Sequence, residues 1–385
     1  MKPRLALVVS AEITLRAFML GHLRAWQSTF DLTVMANGAA PDLLPGQGIQ
    51  AQLLDMPIER PVRPLADFVA LIRLWRALRR GRFDLVFSVT PKAGLLAMAA
   101  AWLAQVPVRV HVFTGQVWVT RSGPSRYILK SIDRLTAWMA THVLVDGKPQ
   151  RQFLISEGVL RADKSQVLGS GSLSGVDAKR FTPDPLARVA IRDALGVPAD
   201  ALVFLYMGRL NRDKGVLDLA QAFAQLGQSS PSTHLLLVGP DEAGMRPLVQ
   251  ETCAACSAQL HFVGYTDQPQ RYIAAADVFC LPSYREGFPT SVIEAAASGI
   301  PTIASRIYGI ADAVLEEETG LMHLPGRSDE IFACMRRMLE SPEQRILLGN
   351  NARQRASLQF SAEQVTKALA DYLIAHMNEA NETRL

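Results

Sequence analysis

The chain has 385 residues, room for two domains of ordinary size, with 49% of its residues apolar and 20% charged. Four cysteines are too few for a disulfide framework, and the lone Cys253-x-x-Cys256 pair lacks the second pair or nearby His of a metal site. The net charge of +4 hides an asymmetry: through Ser170 there are 21 Lys and Arg against 11 Asp and Glu, and after it 19 against 25. One half is basic and the other acidic, which suggests separate partners for separate domains. The small overall excess and the absence of a nucleic-acid-binding motif argue against a nucleic-acid partner.

Leu5 to Val9 is a near-continuous apolar run, read as a buried parallel strand; polar residues follow too soon for a signal peptide. No run is long enough to span a bilayer; the best, Gly94 to Val106, reads as a buried helix. Leu15 to Trp26 carries Phe18, Met19, His22, Leu23 and Trp26 at helical spacing, and Asp31 to Met35 is the next strand. This β-α-β opening indicates a doubly wound domain, and the lack of G-x-G-x-x-G after the first strand argues against a nicotinamide or flavin site. Leu65 to Arg82 places Leu65, Phe68, Val69, Ile72, Trp75 and Leu78 on an apolar stripe, with Arg73, Arg76, Arg79, Arg80 and Arg82 toward its end. Two readings stay open: a core-packed helix whose basic end complements the helix dipole, and a basic face resting on anionic lipid headgroups.

Phe83 to Ser88 is another strand, and Thr90 to Gly94 follows where ligands meet such sheets; Lys92 there suits either a phosphate or a plain helix start. Val108 to Phe113 is a strand that leads into Thr114-Gly115-Gln116-Val117-Trp118. Arg121 to Tyr127 reads as a mobile basic loop, Ile132 to Met139 as a helix and His142 to Asp146 as a strand. Gly169, Gly171 and Gly175 mark the exit from the first domain, and Pro183, Pro185 and Pro198 punctuate a linker. The expected organisation is a first domain at 1–175, a linker at 176–200, a second domain at 201–360, and a helix at 361–385 that crosses back to the first.

Leu202 to Tyr206 opens the second domain and leads to Gly208-Arg209-Leu210 and Asp213-Lys214-Gly215. Two cations in one loop at the carboxyl end of a strand suit a diphosphate, Arg by its fork and Lys as a point charge. His234 to Gly239 and Leu260 to Gly264 are strands, the latter followed by Tyr265. Asp277 to Leu281 then runs into LPSYREGFPTSVIEAAASG, residues 281–299. Glu286 falls in the loop and Glu294 about a turn into a helix that begins near Thr290 and stops at Gly299. Both carboxylates can accept hydroxyl hydrogen bonds, and the early helical amides can hold an anion. Pro301 to Ser305 is a strand, and 328–339 and 361–375 are helices.

YREGFPTSVIEAAASGIPTIAS resembles the E-x7-E signature of the retaining glycosyltransferases of family 4, and the likeness is strong from Tyr206 to Leu321 and looser from Met1 to Gly169. The resemblance implies an α/β chain of GT-B fold, two Rossmann-like doubly wound domains facing across a cleft, with acceptor bound by the first and nucleotide sugar by the second. It implies a hexosyltransferase in which Arg209 and Lys214 stabilise the donor diphosphate, Glu286 orients the donor sugar, Glu294 takes the ribose diol, and Tyr265 packs on the base. Gly287, Phe288, Pro289 and Thr290 complete the donor loop. The acceptor side is read as Lys92, His111, Thr114, Gly115 and Arg121.

Two departures stand out. Many members carry a His-Gly pair where this chain has Thr114 and Gly115; His111, three residues back in a strand, points to the opposite face and is no substitute. The usual Gly-rich loop ending in Glu is matched only in part, by Gly309 and Asp312. VTPKAGLLA, VPVRVHVFTG and SRIYGI are similar to segments of bacterial enzymes that build O-antigen, capsule or other glycans on undecaprenyl diphosphate, as in lipopolysaccharide biosynthesis. The expected reaction therefore moves a sugar from a UDP-sugar, such as UDP-N-acetylhexosamine, to a polyprenyl-diphosphate-linked saccharide, with same-face attack, no metal and no cofactor. The expected location is cytoplasmic, peripheral on the inner face of the cytoplasmic membrane. The alternatives are a soluble acceptor, a nucleotide-sugar epimerase, and a non-catalytic sugar-nucleotide-binding protein.

Overall fold

A computed structural model of the chain describes residues 2–59 and 61–382. The chain forms two compact units, one of residues up to Ser174 together with those from Ala362 onward, the other Gly175–Ser361.

The first unit is built on seven parallel strands: β1 Arg4–Val8, β2 Asp31–Ala36, β3 Gln52–Asp55, β4 Leu85–Val89, β5 Val108–Phe113, β6 His142–Val145 and β7 Ser165–Gln166. Their order across the sheet is β3-β2-β1-β4-β5-β6-β7. Every residue of β4 is buried, as a parallel strand covered on both faces requires. One apolar cluster lies beneath helices Pro64–Gly81, Pro91–Leu103 and Gly123–Met139; the other joins Leu23 and Trp26 to Leu369, Tyr372, Leu373 and Met377 of helix Ala362–Glu382. That last helix is thus part of the first unit's core.

The second unit holds six parallel strands: β8 Leu202–Met207, β9 Thr233–Val238, β10 Leu260–Val263, β11 Val278–Leu281, β12 Thr302–Ser305 and β13 Gly320–His323, in the order β10-β9-β8-β11-β12-β13. Each sheet reverses its winding once, between β1 and β4 in the first and between β8 and β11 in the second. Ligands of open α/β sheets collect at the carboxyl ends of the strands flanking such a reversal.

Four sequence expectations are corrected. Residues 176–200 are not a free linker. Helix Pro185–Leu195 forms there, capped by Asp184 accepting from the Ala187 amide, and Arg192, 3% exposed, donates to Asp277 at 2.8 Å. Pro185 had read as loop punctuation, yet proline suits the first turn of a helix. The basic loop at 121–127 gives way to helix Gly123–Met139, which already contains Tyr127. The helix expected over 15–26 begins at Glu12 and takes a π turn over Leu15–Met19. In helix Pro64–Gly81 the buried face is Ala70, Leu74 and Leu78, while Leu65 and Phe68 are 86% and 60% exposed. The partner helix Pro91–Leu103 is alanine-rich and allows close approach, so Ala70 sits at the contact beside Leu74 and Leu78, while Leu65 and Phe68 turn outward.

Candidate functional site

The second unit's reversal point brings two loops into contact. Gly215 has φ +66°, and a Cβ there would stand 2.8 Å from the carbonyl carbon of Pro282, closer than carbon atoms pack. The loop after β8 can therefore approach the loop after β11 only with glycine at this position. Asn211 caps the turn by accepting from the Lys214 amide at 3.1 Å, and the Tyr284 amide donates to the Asp213 carbonyl at 2.9 Å. A third loop closes in: a Cβ on Gly309 would stand 2.7 Å from the Gly287 carbonyl oxygen.

Within this frame Lys214 Nζ meets Glu286 Oε1 at 2.5 Å, with the side chains only 19% and 12% exposed. The two residues come from the two loops that the sheet order predicts should meet. Arg209 is held by its backbone, whose carbonyl accepts from the Tyr206 hydroxyl at 2.8 Å, while its exposed guanidinium pairs with Glu242 at 3.0 Å. Tyr206 is fully buried, and burial together with the nearby Glu286 charge raises its pKa, against a smaller opposing effect of Arg209.

Pro289 precedes helix Thr290–Ala297 without a side-chain cap, so the amides of Thr290 and Ser291 lie outside the helix's own ladder. Phe288 is buried against Phe360 at 5.3 Å and anchors the loop. Glu294 lies one turn into the helix, and burial pushes its carboxyl up to about 7 against the pull of Arg180. Arg180 in turn donates to the Asp267 carbonyl at 2.9 Å. Tyr265 stands 71% exposed after β10, with its ring available to a base.

The first unit treats its five candidates differently. Lys92 Nζ pairs with Asp67 at 2.5 Å and donates to the Pro61 carbonyl at 2.5 Å, so its charge is already matched. His111 is a correction: it is 1% exposed, bonds Ser88 Oγ at 2.9 Å, and fills the space over Gly94, where a Cβ would stand 2.6 Å from its Nδ1. Burial lowers its pKa to about 3. It is a neutral core histidine with no path to an acceptor. Thr114 and Gly115 end β5, and the Thr114 carbonyl accepts from the Gln150 amide at 2.6 Å and from Gln116. Arg121 is exposed beyond the turn Val117–Thr120.

Sequence reasoning missed several parts of the site. Tyr206, Asn211 and Glu242 shape the cation loop, and the buried pair Gln116 and Gln150 fixes the Thr114 turn. Thr90 is a further one: it has φ +75° and ψ +144° at the end of β4, beside Ser10 at 3.4 Å across the first unit's reversal point. Strain of this kind in a non-glycine residue gathers at functional sites. The signal available was a Thr-Pro step directly after a buried strand.

Solved structures share this architecture across nearly the whole chain. HepE from Anabaena, crystallised with UDP, superposes with a TM-score of 0.79 at 20% identity, covering 97% of this chain and 100% of that one. WaaG, described as a glycosyltransferase involved in lipopolysaccharide biosynthesis, gives 0.74 at 17%, covering 96% and 99%. These likenesses define the fold as GT-B. Residues 16–171 match the family model described as glycosyl transferase 4-like domain, and residues 188–355 the one described as glycosyl transferases group 1. The chain belongs to the GT-B glycosyltransferases, with a 4-like domain followed by a group 1 domain. Among its relatives, the capsular polysaccharide biosynthesis glycosyltransferase CapM of Staphylococcus aureus is 25% identical over 84% of this chain and 85% of its own length. A UDP-Gal:α-D-GlcNAc-diphosphoundecaprenol α-1,3-galactosyltransferase of Escherichia coli is 28% identical over 68% of each.

Proposed function

We propose that the chain moves a hexosyl group from a UDP-sugar to a saccharide carried on a polyprenyl diphosphate, with retention at the anomeric carbon. The observation that carries the reading is the Lys214–Glu286 pair, held where the loops after β8 and β11 meet. The glycosidic bond to the diphosphate breaks while an acceptor hydroxyl attacks the same face, and the departing phosphate oxygen takes the hydroxyl proton. Charge grows on that phosphate, and preorganised cations and amides lower the barrier there. Lys214, Arg209 and the amides of Thr290 and Ser291 fill that role. Both cations now pair with carboxylates, Glu286 and Glu242. The donor diphosphate would take over these partners, leaving Glu286 to accept from sugar hydroxyls. Glu294 would take the ribose diol and Tyr265 the base. The chemistry needs no metal or cofactor, because the cations meet the leaving-group charge.

The UDP donor is supported by the galactosyltransferase relative and the lipid-linked acceptor by its named substrate. A membrane-surface location is supported by the first unit's helices. No helix among the described residues is long and apolar enough to cross a membrane. Yet Leu65, Phe68, Trp102, Tyr127, Ile128 and Trp138 stand 45–86% exposed on three adjoining helices. Arg73, Arg76, Arg79, Arg80 and Arg82 are exposed on or just after the first of them. Apolar and cationic side chains together suit the interface of an anionic leaflet. The test is thermal stabilisation by a panel of nucleotide sugars, followed by turnover of the best one on lipid-linked acceptors in the presence of a chelator. A shift with one UDP-sugar that is lost in Arg209→Ala plus Lys214→Ala, and transfer that survives the chelator, are expected. No shift with any nucleotide sugar would sink the reading.

A further inference from the structure

The amino end of β6 carries a cluster that the transferase reading does not use. The His142 ring lies against that of His376 on the C-terminal helix, with centroids 3.8 Å apart and planes 30° from parallel. Tyr372 packs edge-on against His376 at 4.4 Å. His376 Nδ1 meets Glu379 Oε2 at 2.8 Å, one turn further along the helix. One ligand atom from each of His142, His376 and Glu379 lies within 4.8 Å of the other two.

We propose that His142, His376 and Glu379 bind one borderline divalent ion, Zn²⁺ being the fitting case, and so fasten the C-terminal helix to the sheet of the first unit. The donor set suits it: two imidazoles and a carboxylate, with a water in the fourth position. Ligand atoms about 2.0–2.2 Å from a tetrahedral ion stand roughly 3.4 Å apart. Closure from 4.8 Å is a movement of about 1 Å, within reach of side-chain torsions.

An open groove of about 460 Å³ beside His142 and His376 gives an entry path. Two cations face the site from the sheet side, and both are tied back. Lys164 donates to the Ala137 and Trp138 carbonyls, and Arg109 to those of Met139 and Val106. Their field opposes the ion and the Glu379 carboxylate offsets it. Neither Ca²⁺ nor Mg²⁺ shares the preference, because imidazole is a poor ligand for hard cations.

The inference stands apart from the transferase reading, since its readouts are binding and stability rather than turnover. The full-length chain, free of any histidine tag and stripped with chelator, is titrated with Zn²⁺ by calorimetry and followed by thermal unfolding. One ion per chain is expected, with no response to Mg²⁺. The unfolding midpoint should rise by roughly 5 °C or more at about a hundredfold excess over Kd. His376→Ala and Glu379→Gln should each weaken binding by at least about tenfold, the scale on which metal-site substitutions act. The Glu379 carboxylate is 67% exposed, so its amide replacement leaves the fold intact. Absence of one-to-one binding in the wild type overturns the proposal. So does binding equal in wild type and both variants, which would move the ion to other ligands such as the cysteines.

Discussion

Gly215→Ala tests whether the contact between the two donor loops sets the position of Lys214. Two costs arise. Alanine at φ +66° pays the left-handed backbone penalty, about 1 kcal/mol or somewhat more. Its Cβ would also stand 2.8 Å from the Pro282 carbonyl carbon, against about 3.5–4.0 Å for comfortable carbon contacts. The loops must part by about 1 Å, an overpacking cost of about 1–3 kcal/mol. Gly196→Ala is the internal control: its φ is also +66°, but nothing lies within 4 Å of the added carbon, so it bears the backbone term alone. At about 2–4 °C per kcal/mol for a unit of this size, Gly215→Ala should unfold roughly 2–12 °C below Gly196→Ala. The separation also pulls Lys214, the adjacent residue, from its place opposite Glu286. Misplacement by about 1 Å at a reacting site can cost on the order of a hundredfold in rate. Thermal scans of both variants, with calorimetric titration of UDP and turnover measured in parallel, read out the two effects. If Gly215→Ala matched Gly196→Ala in midpoint and kept wild-type nucleotide affinity and turnover, the loop contact would not be what positions Lys214.

Three further outcomes are expected. Lys214→Met should weaken UDP by roughly 10- to 150-fold, the loss of one charge-assisted hydrogen bond of about 1.5–3 kcal/mol; calorimetric titration reads it, and unchanged affinity would remove Lys214 from the donor site. Asp146, buried with Oδ1 lacking any hydrogen-bond partner in the described structure, has its carboxyl pushed by burial from 3.8 to about 8. Its folded form holds a proton that the unfolded form has lost, so its contribution is full below pH 3.8 and fades as pH rises to about 8. Asp146→Asn should flatten that decline in unfolding midpoint between pH 5 and 8, to be checked by thermal scans across about that range; parallel curves would show that the carboxyl is ionised in the fold. Finally, Phe68→Ser plus Trp138→Ser should cut sedimentation with anionic vesicles while leaving nucleotide binding untouched; equal sedimentation would take these helices out of the membrane contact.

The positions of the proposed donor residues were more legible in the sequence than those of the proposed acceptor residues, for a physical reason. Arg209, Lys214, Glu286 and Glu294 sit in short loops and helix starts directly after buried strands, so local pattern alone puts them at the carboxyl edge of a sheet. What the sequence could not state was partnership. Lys214 and Glu286 are 72 residues apart and meet at 2.5 Å, a consequence of strand order rather than of any local signal. His111 failed for the opposite reason. Alternation along a strand says which face a side chain takes, but not that a glycine on the helix above leaves a slot shaped for its ring. The face of helix Pro64–Gly81 was misjudged because large apolar residues were assumed to point inward. The alanine-rich neighbour admits Ala70 beside Leu74 and Leu78, while Leu65 and Phe68 stay exposed. His142 and His376 lie 234 positions apart and carry no motif; only the return of the last helix to the first sheet brings them together.

That return has a consequence for how the chain is made. The second unit is an insertion whose ends meet: the Val176 amide bonds the Phe360 carbonyl at 2.7 Å. The first unit, though begun earliest, is completed last, because Leu369, Tyr372, Leu373 and Met377 finish its second apolar cluster. At about 5–20 residues per second, the ribosome needs roughly ten to forty seconds to cross the inserted unit. For that interval β5 and the helix that carries Leu23 and Trp26 lack the partner that completes their apolar cluster. The second unit has all its strands by then and can fold before the first has closed. Dependence on holding chaperones during synthesis should therefore rest with the amino-terminal half, and be relieved once the final helix has left the ribosome.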